Sequence, residues 1–173
     1  MKSLETVISE IAYRELEENF DIYEIKIGFS KTGLKIGIFL DNLLHSTGSP
    51  NISDCERYAK KLNTAFENLE IDGEKLENYF LEVSSPGAER RLRNPNDWIR
   101  FKDLPMKVVF RDEKNSIYSR VVHLIDVSNE MSEWSVDNIV YNKNQGLIFK
   151  GKNDNKLKIE IDKIESVNLY INI

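Results

Sequence analysis

Residues 81–92 read LEVSSPGAERRL (Leu81–Leu92). The segment begins with strand character in Leu81, Glu82 and Val83 and closes on the paired arginines Arg90 and Arg91. Between these ends, Ser84, Ser85, Pro86 and Gly87 place two hydroxyls before a proline and a glycine. In Ser85-Pro86-Gly87-Ala88, proline presets φ at the second position of a turn and glycine tolerates positive φ at the third. That is the chemistry of a type II turn. A serine nucleophile needs a base beside it, and the neighbouring sequence offers none. The four residues therefore read as a turn that redirects the chain.

Upstream of the turn, apolar residues recur over long amphipathic stretches. Leu4, Val7, Ile8, Ile11, Leu16 and Phe20 fall near one side at helical spacing over residues 4 to 20. Tyr23, Ile25, Ile27 and Phe29 then alternate with polar residues, SKTG turns the chain, and Leu34, Ile36, Ile38 and Leu40 alternate again. This predicts a hairpin with one buried face. Beyond the loop DNLLHSTGSPN, Ser53 and Glu56 have the spacing of a capping box. Cys55, Tyr58, Ala59, Leu62, Ala65, Phe66 and Leu69 supply the apolar stripe of a second helix, which IDGEK ends. NYFLEV adds a third strand with Tyr79, Leu81 and Val83 on one face. The order α-β-β-α-β predicts an α+β layer, helices on a small sheet.

Downstream, the texture changes to short β-rich runs: MKVVFR, IYSRVVHLID, EWSVDNIVY, GLIFKGK, KLKIEI and VNLYINI. Pro95 to Phe101 suits one helical turn, with proline at the first helical position, and IDKIESV suits another. Short strands at close spacing predict a small barrel. The expected division is therefore an N-terminal domain over 1–87 and a C-terminal barrel over 88–173.

Charge follows the same division. Residues 1–87 hold 9 Lys/Arg against 16 Asp/Glu, a net −7, and residues 88–173 hold 15 against 13, a net +2. From Arg90 to Arg111, seven basic residues (Arg90, Arg91, Arg93, Arg100, Lys102, Lys107 and Arg111) face only Asp97 and Asp103. Such asymmetry marks a face suited to an anionic partner. A solvated surface and pairing with acids such as Glu89 or Asp97 are the plainer alternatives.

The sequence argues against several classes. His45 and His123 fall in different expected domains, and one cysteine with two scattered histidines is a poor ligand supply for zinc. Cys55 lies on an apolar helical stripe, where a buried thiol is the ordinary reading. There is no Gly-rich phosphate loop and no G-x-S-x-G elbow. The N-terminus has the pattern of neither a signal peptide nor a membrane span. A lone cysteine suits a reducing compartment. The expectation is a soluble cytoplasmic protein with no catalytic residue, no metal and no cofactor.

LEVSSPGAERRL resembles the hallmark segment of the RimP family of bacterial ribosome maturation factors. The matching positions are Leu81 to Gly87, Glu89, Arg90 and Leu92, while Ala88 replaces a larger apolar residue and Arg91 stands where proline is usual. NISDCERYAKKLNTAF is similar to the family's second helix, and FKDLPMKVVF to the start of its C-terminal barrel. The resemblance implies an N-terminal α/β domain and a C-terminal Sm-like, SH3-like barrel. It further implies a non-catalytic factor that binds the free small ribosomal subunit and helps incorporate the ribosomal protein near the decoding centre. The implied partners are rRNA and that basic protein, with no membrane, and the chain is expected to be a monomer.

On this reading Arg90, Arg91, Arg93, Arg100, Lys107 and Arg111 are candidate contacts to rRNA phosphates. Ser84, Ser85, Pro86 and Gly87 form the interdomain turn. A general RNA-binding Sm-like module is the alternative, although Trp98, Phe101, Trp134, Tyr141 and Phe149 suit core and rim equally well. A hydrolase built on the serines lacks a base.

Overall fold

The structure, a computed structural model, describes residues 2–31, 33–71, 73–142 and 146–170, with side chains at all of these except 137–155. The chain divides into two compact units, Met1–Gly87 and Ala88–Ile173.

The first unit opens with α1 (Leu4–Arg14), whose N-terminus is capped where Ser3 accepts a hydrogen bond from the Thr6 N–H. The helix ends six residues short of Phe20, which instead begins β1 (Phe20–Ser30). Leu16 and Phe20 still pack against the core, from a connection and a strand and not from a helical face. β1 pairs antiparallel with β2 (Gly33–Asn42), and a register shift between Ile22 and Glu24 moves the inward positions. Ile22 is thereby buried, while Phe29, expected on the inner face, is 77% exposed at the far end.

α2 (Ile52–Phe66) begins earlier than its expected cap at Ser53. Asn51 Oδ1 accepts from the Asp54 N–H at 2.8 Å, and Asp54 Oδ2 accepts from the Asn51 N–H at 3.1 Å. Both end groups are thus satisfied two residues upstream. A two-residue hairpin, β3 (Glu70–Ile71) with β4 (Glu74–Lys75), follows the helix. β5 (Tyr79–Ser84) then runs parallel to β2, giving a three-stranded sheet ordered β1-β2-β5.

Ile8, Ile36, Ile38, Leu40, Leu62 and Phe66 form the centre of the first core. Full burial of such a side chain contributes about 1.5–3 kcal/mol relative to exposure. The buried Tyr58 hydroxyl donates to the Ala12 carbonyl at 2.5 Å, tying α2 to α1. Burial also pushes its phenol well above the ordinary tyrosine range.

The second unit contains β6 (Arg91–Leu92), α3 (Pro95–Arg100), β7 (Met106–Arg111), β8 (Ile117–Val127), β9 (Met131–Asn142), β10 (Gly146–Glu160), a 3-10 turn at Ile161–Lys163 and β11 (Ile164–Leu169). GLIFKGK and KLKIEI, expected as two strands, are one strand, β10, broken only by register shifts against β9. The last three residues of VNLYINI and the side chains of Tyr141 and Phe149 lie outside the described residues. The sheet is antiparallel throughout and ordered β10-β9-β8-β7-β11-β6. Among the described residues, no pairing joins its two end strands.

Its core gathers Trp98 and Phe101 from α3 and the turn after it, with Met106, Val108, Val122 and Trp134 from the sheet. Trp134 is fully buried, and its indole N–H donates to Ser132 Oγ at 2.8 Å. That hydroxyl donates onward to the Ile159 carbonyl at 2.9 Å, so a polar pair in the core is satisfied internally.

Candidate functional site

The basic segment after the turn enters the second sheet as a short strand. Glu89 and Arg90 lead into β6, and the Arg90 carbonyl accepts from the Leu169 N–H at 3.0 Å. In β6 itself Arg91 pairs with Asn168 and Leu92 with Val167 of β11. Strand alternation sends the two side chains to opposite faces. Leu92 is buried in the core and Arg91 is exposed.

Lys107 lies opposite Asn168 from the other side, on β7. Arg91, Asn168 and Lys107 therefore form one cross-strand row on the outer face, with the Asn168 amide also donating to the Glu89 carbonyl at 3.1 Å. Arg111 is four residues beyond Lys107 on the same strand, on the same face by alternation. Its Nε donates to Glu165 Oε1, and its Nη1 donates to Asn115 Oδ1 at 3.4 Å. Arg91 reaches the same place, donating to the Glu165 carbonyl at 3.1 Å. Glu165 sits where the β11–β7 register shifts, between Ile164 and Ser166.

The other arginines are placed differently. Arg93 gives its backbone N–H to Asp97 Oδ2 at 2.8 Å, just before Asn94 caps α3. Arg100 ends α3 with its guanidinium 4.7 Å from the Phe101 ring centroid, an arrangement in which cation and ring attract. Both side chains are exposed. Arg90 departs from the expectation. It is only 4% exposed, and its guanidinium lies 5.0 Å from the Phe101 centroid. A cation held in the core does not present its donors to a partner, so Arg90 leaves the set of surface contacts.

In the turn, Ser84 ends β5 opposite Phe39, and Gly87 takes a φ of 92°. Ser85 Oγ accepts from the Gly87 N–H at 3.4 Å, a local use of the hydroxyl that steadies the turn. Ser84 and Ser85 also border an open groove of about 360 Å³ with Ile52, Cys55 and Ala59 of α2. Cys55 is half-buried, and burial raises its thiol pKa above the ordinary value. His45 bonds Thr47 Oγ1 at 3.0 Å in the first unit, while His123 lies on β8 in the second. No group of three or more His, Cys, Asp or Glu residues suited to a metal occurs among the described residues. Nor is any helix among them long and apolar enough to cross a membrane.

Glu165 and Asn168 complete the outer face, and sequence reasoning missed both. Asn168 falls in the strand-like run VNLYINI, but Glu165 falls in IDKIESV, expected as a helical turn, where helix stops at Lys163 and β11 begins at Ile164. Their proximity to Arg91 and Arg111 comes from pairing across 54 to 77 positions of chain.

This arrangement defines a class: a two-unit α+β protein whose second unit carries cations on neighbouring strands of an antiparallel sheet. A family model described as the RimP N-terminal domain matches residues 12–89, and one described as Domain of unknown function (DUF7912) matches residues 91–170. The chain is 33% identical to a protein of Leptospira interrogans named Ribosome maturation factor RimP, over 88% of this chain and 87% of that one. A protein of the same name from Leptospira biflexa is 32% identical over 96% of both chains. A third so named, from Prochlorococcus marinus, is 25% identical over 81% of this chain and 91% of its own length. The chain belongs to the RimP family.

Proposed function

We propose that the protein is a non-catalytic ribosome maturation factor that binds the free small ribosomal subunit and assists its assembly, helping to incorporate the basic ribosomal protein near the decoding centre. The observation that carries this reading is the 32% identity to a Ribosome maturation factor RimP over 96% of the chain, since likeness of that extent reaches both units.

The outer face of the second unit supplies a physical route. Arg91, Lys107 and Arg111 on that face, with Arg93 and Arg100 at the two ends of α3, would meet rRNA phosphates, the arginines through guanidinium forks matched to phosphate oxygens. The acidic first unit would attract a basic ribosomal protein and repel stray RNA. We further propose that the units fold independently on either side of Gly87, and that the second sheet curls as an Sm-like, SH3-like barrel. The working form would be a cytoplasmic monomer without cofactor.

Sedimentation of the purified protein with ribosomal particles tests this reading. It should travel with free small subunits and not with large subunits or mature ribosomes. Equal association with all particles and with unrelated RNA favours instead a general RNA-binding Sm-like module, the reading that a cationic face alone would support.

A further inference from the structure

Arg91, Lys107 and Arg111 lie on one outer face, but the site they form already holds an anion. The row Arg91–Asn168–Lys107 crosses two strand spacings, about 10 Å, and Arg111 stands ~13 Å from Lys107 along β7. Glu165 reaches into this area from the irregular stretch of β11, bonding Arg111 with its carboxylate and Arg91 with its backbone carbonyl. The Arg111 and Glu165 side chains are 40% and 36% exposed, so an incoming ligand can reach both. Asn115, at a φ of 64°, holds the Arg111 guanidinium from its other side.

We propose that Glu165 is a resident competitor for phosphate, regulating the cationic site through Arg111. This rests on the rRNA-binding reading above. Guanidinium accepts carboxylate and phosphate oxygens in similar geometry. A phosphate taking the Nε edge of Arg111 therefore displaces the Glu165 carboxylate, and one taking the terminal nitrogens is repelled by that carboxylate from close by. An isolated phosphate gains little from that exchange, because exposed pairs are individually weak. A nucleic-acid backbone that engages Arg91 and Lys107 at the same time keeps those contacts while displacing Glu165. The carboxylate thus lowers adhesion to phosphate chains in general and favours a partner shaped to the whole row.

The test uses the full-length protein, a short RNA hairpin as probe, and salt titrations of Glu165→Gln, Arg111→Ala and the double variant, each checked for unchanged folding by circular dichroism. Glu165→Gln should bind the hairpin several-fold more tightly. Its salt dependence should steepen by about one counterion, as expected when Arg111 is released for phosphate. The gain should vanish in the Arg111→Ala background. Weaker or equal binding by Glu165→Gln, where Arg111→Ala alone loses affinity, overturns the competitor role and makes Glu165 a support for Arg111. Unchanged hairpin binding by Arg91→Ala, Lys107→Ala and Arg111→Ala overturns the site itself. Sedimentation of the same proteins with small subunits separates the two levels: association persists if only the site is wrong, and is absent for the wild type if the maturation reading is wrong.

Discussion

The guanidinium of Arg90 lies over the Phe101 ring, 5.0 Å from its centroid, and holds the start of β6 against the core of the second unit. The neighbouring residue, Arg91, turns outward to the row shared with Lys107. Two adjacent arginines in the hallmark segment therefore serve different ends, one structural and one facing solvent. Arg90→Ala should cost about 1–3 kcal/mol through weaker packing and the missing cation–ring attraction. Lys107→Ala should stay within about 0.5 kcal/mol, as an exposed substitution does. Denaturant unfolding of both variants checks this, and equal stability would mean Arg90 is not a core residue.

Gly87 and Ser85 distinguish a turn from an active site. At a φ of 92°, Gly87→Val should strain the backbone by about 1–3 kcal/mol. A Cβ there meets nothing within 4 Å, so the strain comes from the backbone conformation. Ser85→Ala loses a single long hydrogen bond to the Gly87 N–H, worth at most about 1 kcal/mol. Thermal melts together with small-subunit association should rank Gly87→Val as the more damaging change. The reverse ranking, with Ser85→Ala folded but inactive, would point to chemistry at the serine.

Gly33 is more tightly constrained. A Cβ at this position would fall 2.0 Å from the Asn78 carbonyl oxygen, and φ is 122°. The Leu34 N–H donates to that same carbonyl at 3.2 Å, so the two backbones cannot part without losing the bond. Gly33→Ala should destabilise the protein by at least about 2 kcal/mol. Gly28→Ala, where a Cβ meets nothing within 4 Å, should change stability by less than about 1 kcal/mol. Similar unfolding midpoints for the two variants would contradict the close approach.

Much of the first unit is legible in sequence because its signals are local. The alternation of Leu34, Ile36, Ile38 and Leu40 fixes an inner face, and all four side chains are buried. Tyr79, Leu81 and Val83 pack against the same core as expected. The misreadings arise where two local solutions compete or distance matters. Asn51/Asp54 and Ser53/Glu56 both have capping-box spacing, and only the structure shows which pair closes. The register shift after Ile22 turns Ile22 inward, while Ile25 and Ile27 keep the expected face and Phe29, in the same register, is exposed at the far end of the strand. In the second unit, no strand-like run marks Arg91 and Leu92, because the partner that makes them β6 is β11, far along the chain. Arg90's burial and Glu165's place among the cations have the same origin. No short-range pattern encodes either.

Glu17 gives the first unit a defined response to acid. It accepts from Lys61 Nζ at 2.7 Å and from Arg57 Nε at 3.1 Å, joining the chain after α1 to α2. The Lys61 hydrogen bond first, and the Arg57 bond next, hold its carboxyl below the ordinary glutamate value. A carboxyl with a depressed folded pKa contributes stability above its unfolded pKa and loses it as pH falls through the folded value. The wild type should therefore lose more stability than Glu17→Gln between about pH 5 and about pH 3. Urea midpoints across that range check the sign. Parallel pH profiles would show that the ion pairs contribute nothing to folding.

The most direct measurement is the affinity of the protein for purified free small subunits, taken across a salt series for the wild type and for an Arg91→Ala, Lys107→Ala, Arg111→Ala triple variant. If the outer face of the second unit binds rRNA, the triple variant folds normally and binds more weakly. Its log affinity should also fall less steeply with log salt, by roughly 0.7–0.9 for each phosphate it no longer neutralises. A folded triple variant with unchanged affinity and unchanged slope would contradict phosphate binding here and move the binding face away from the row that Arg91 and Lys107 share with Asn168.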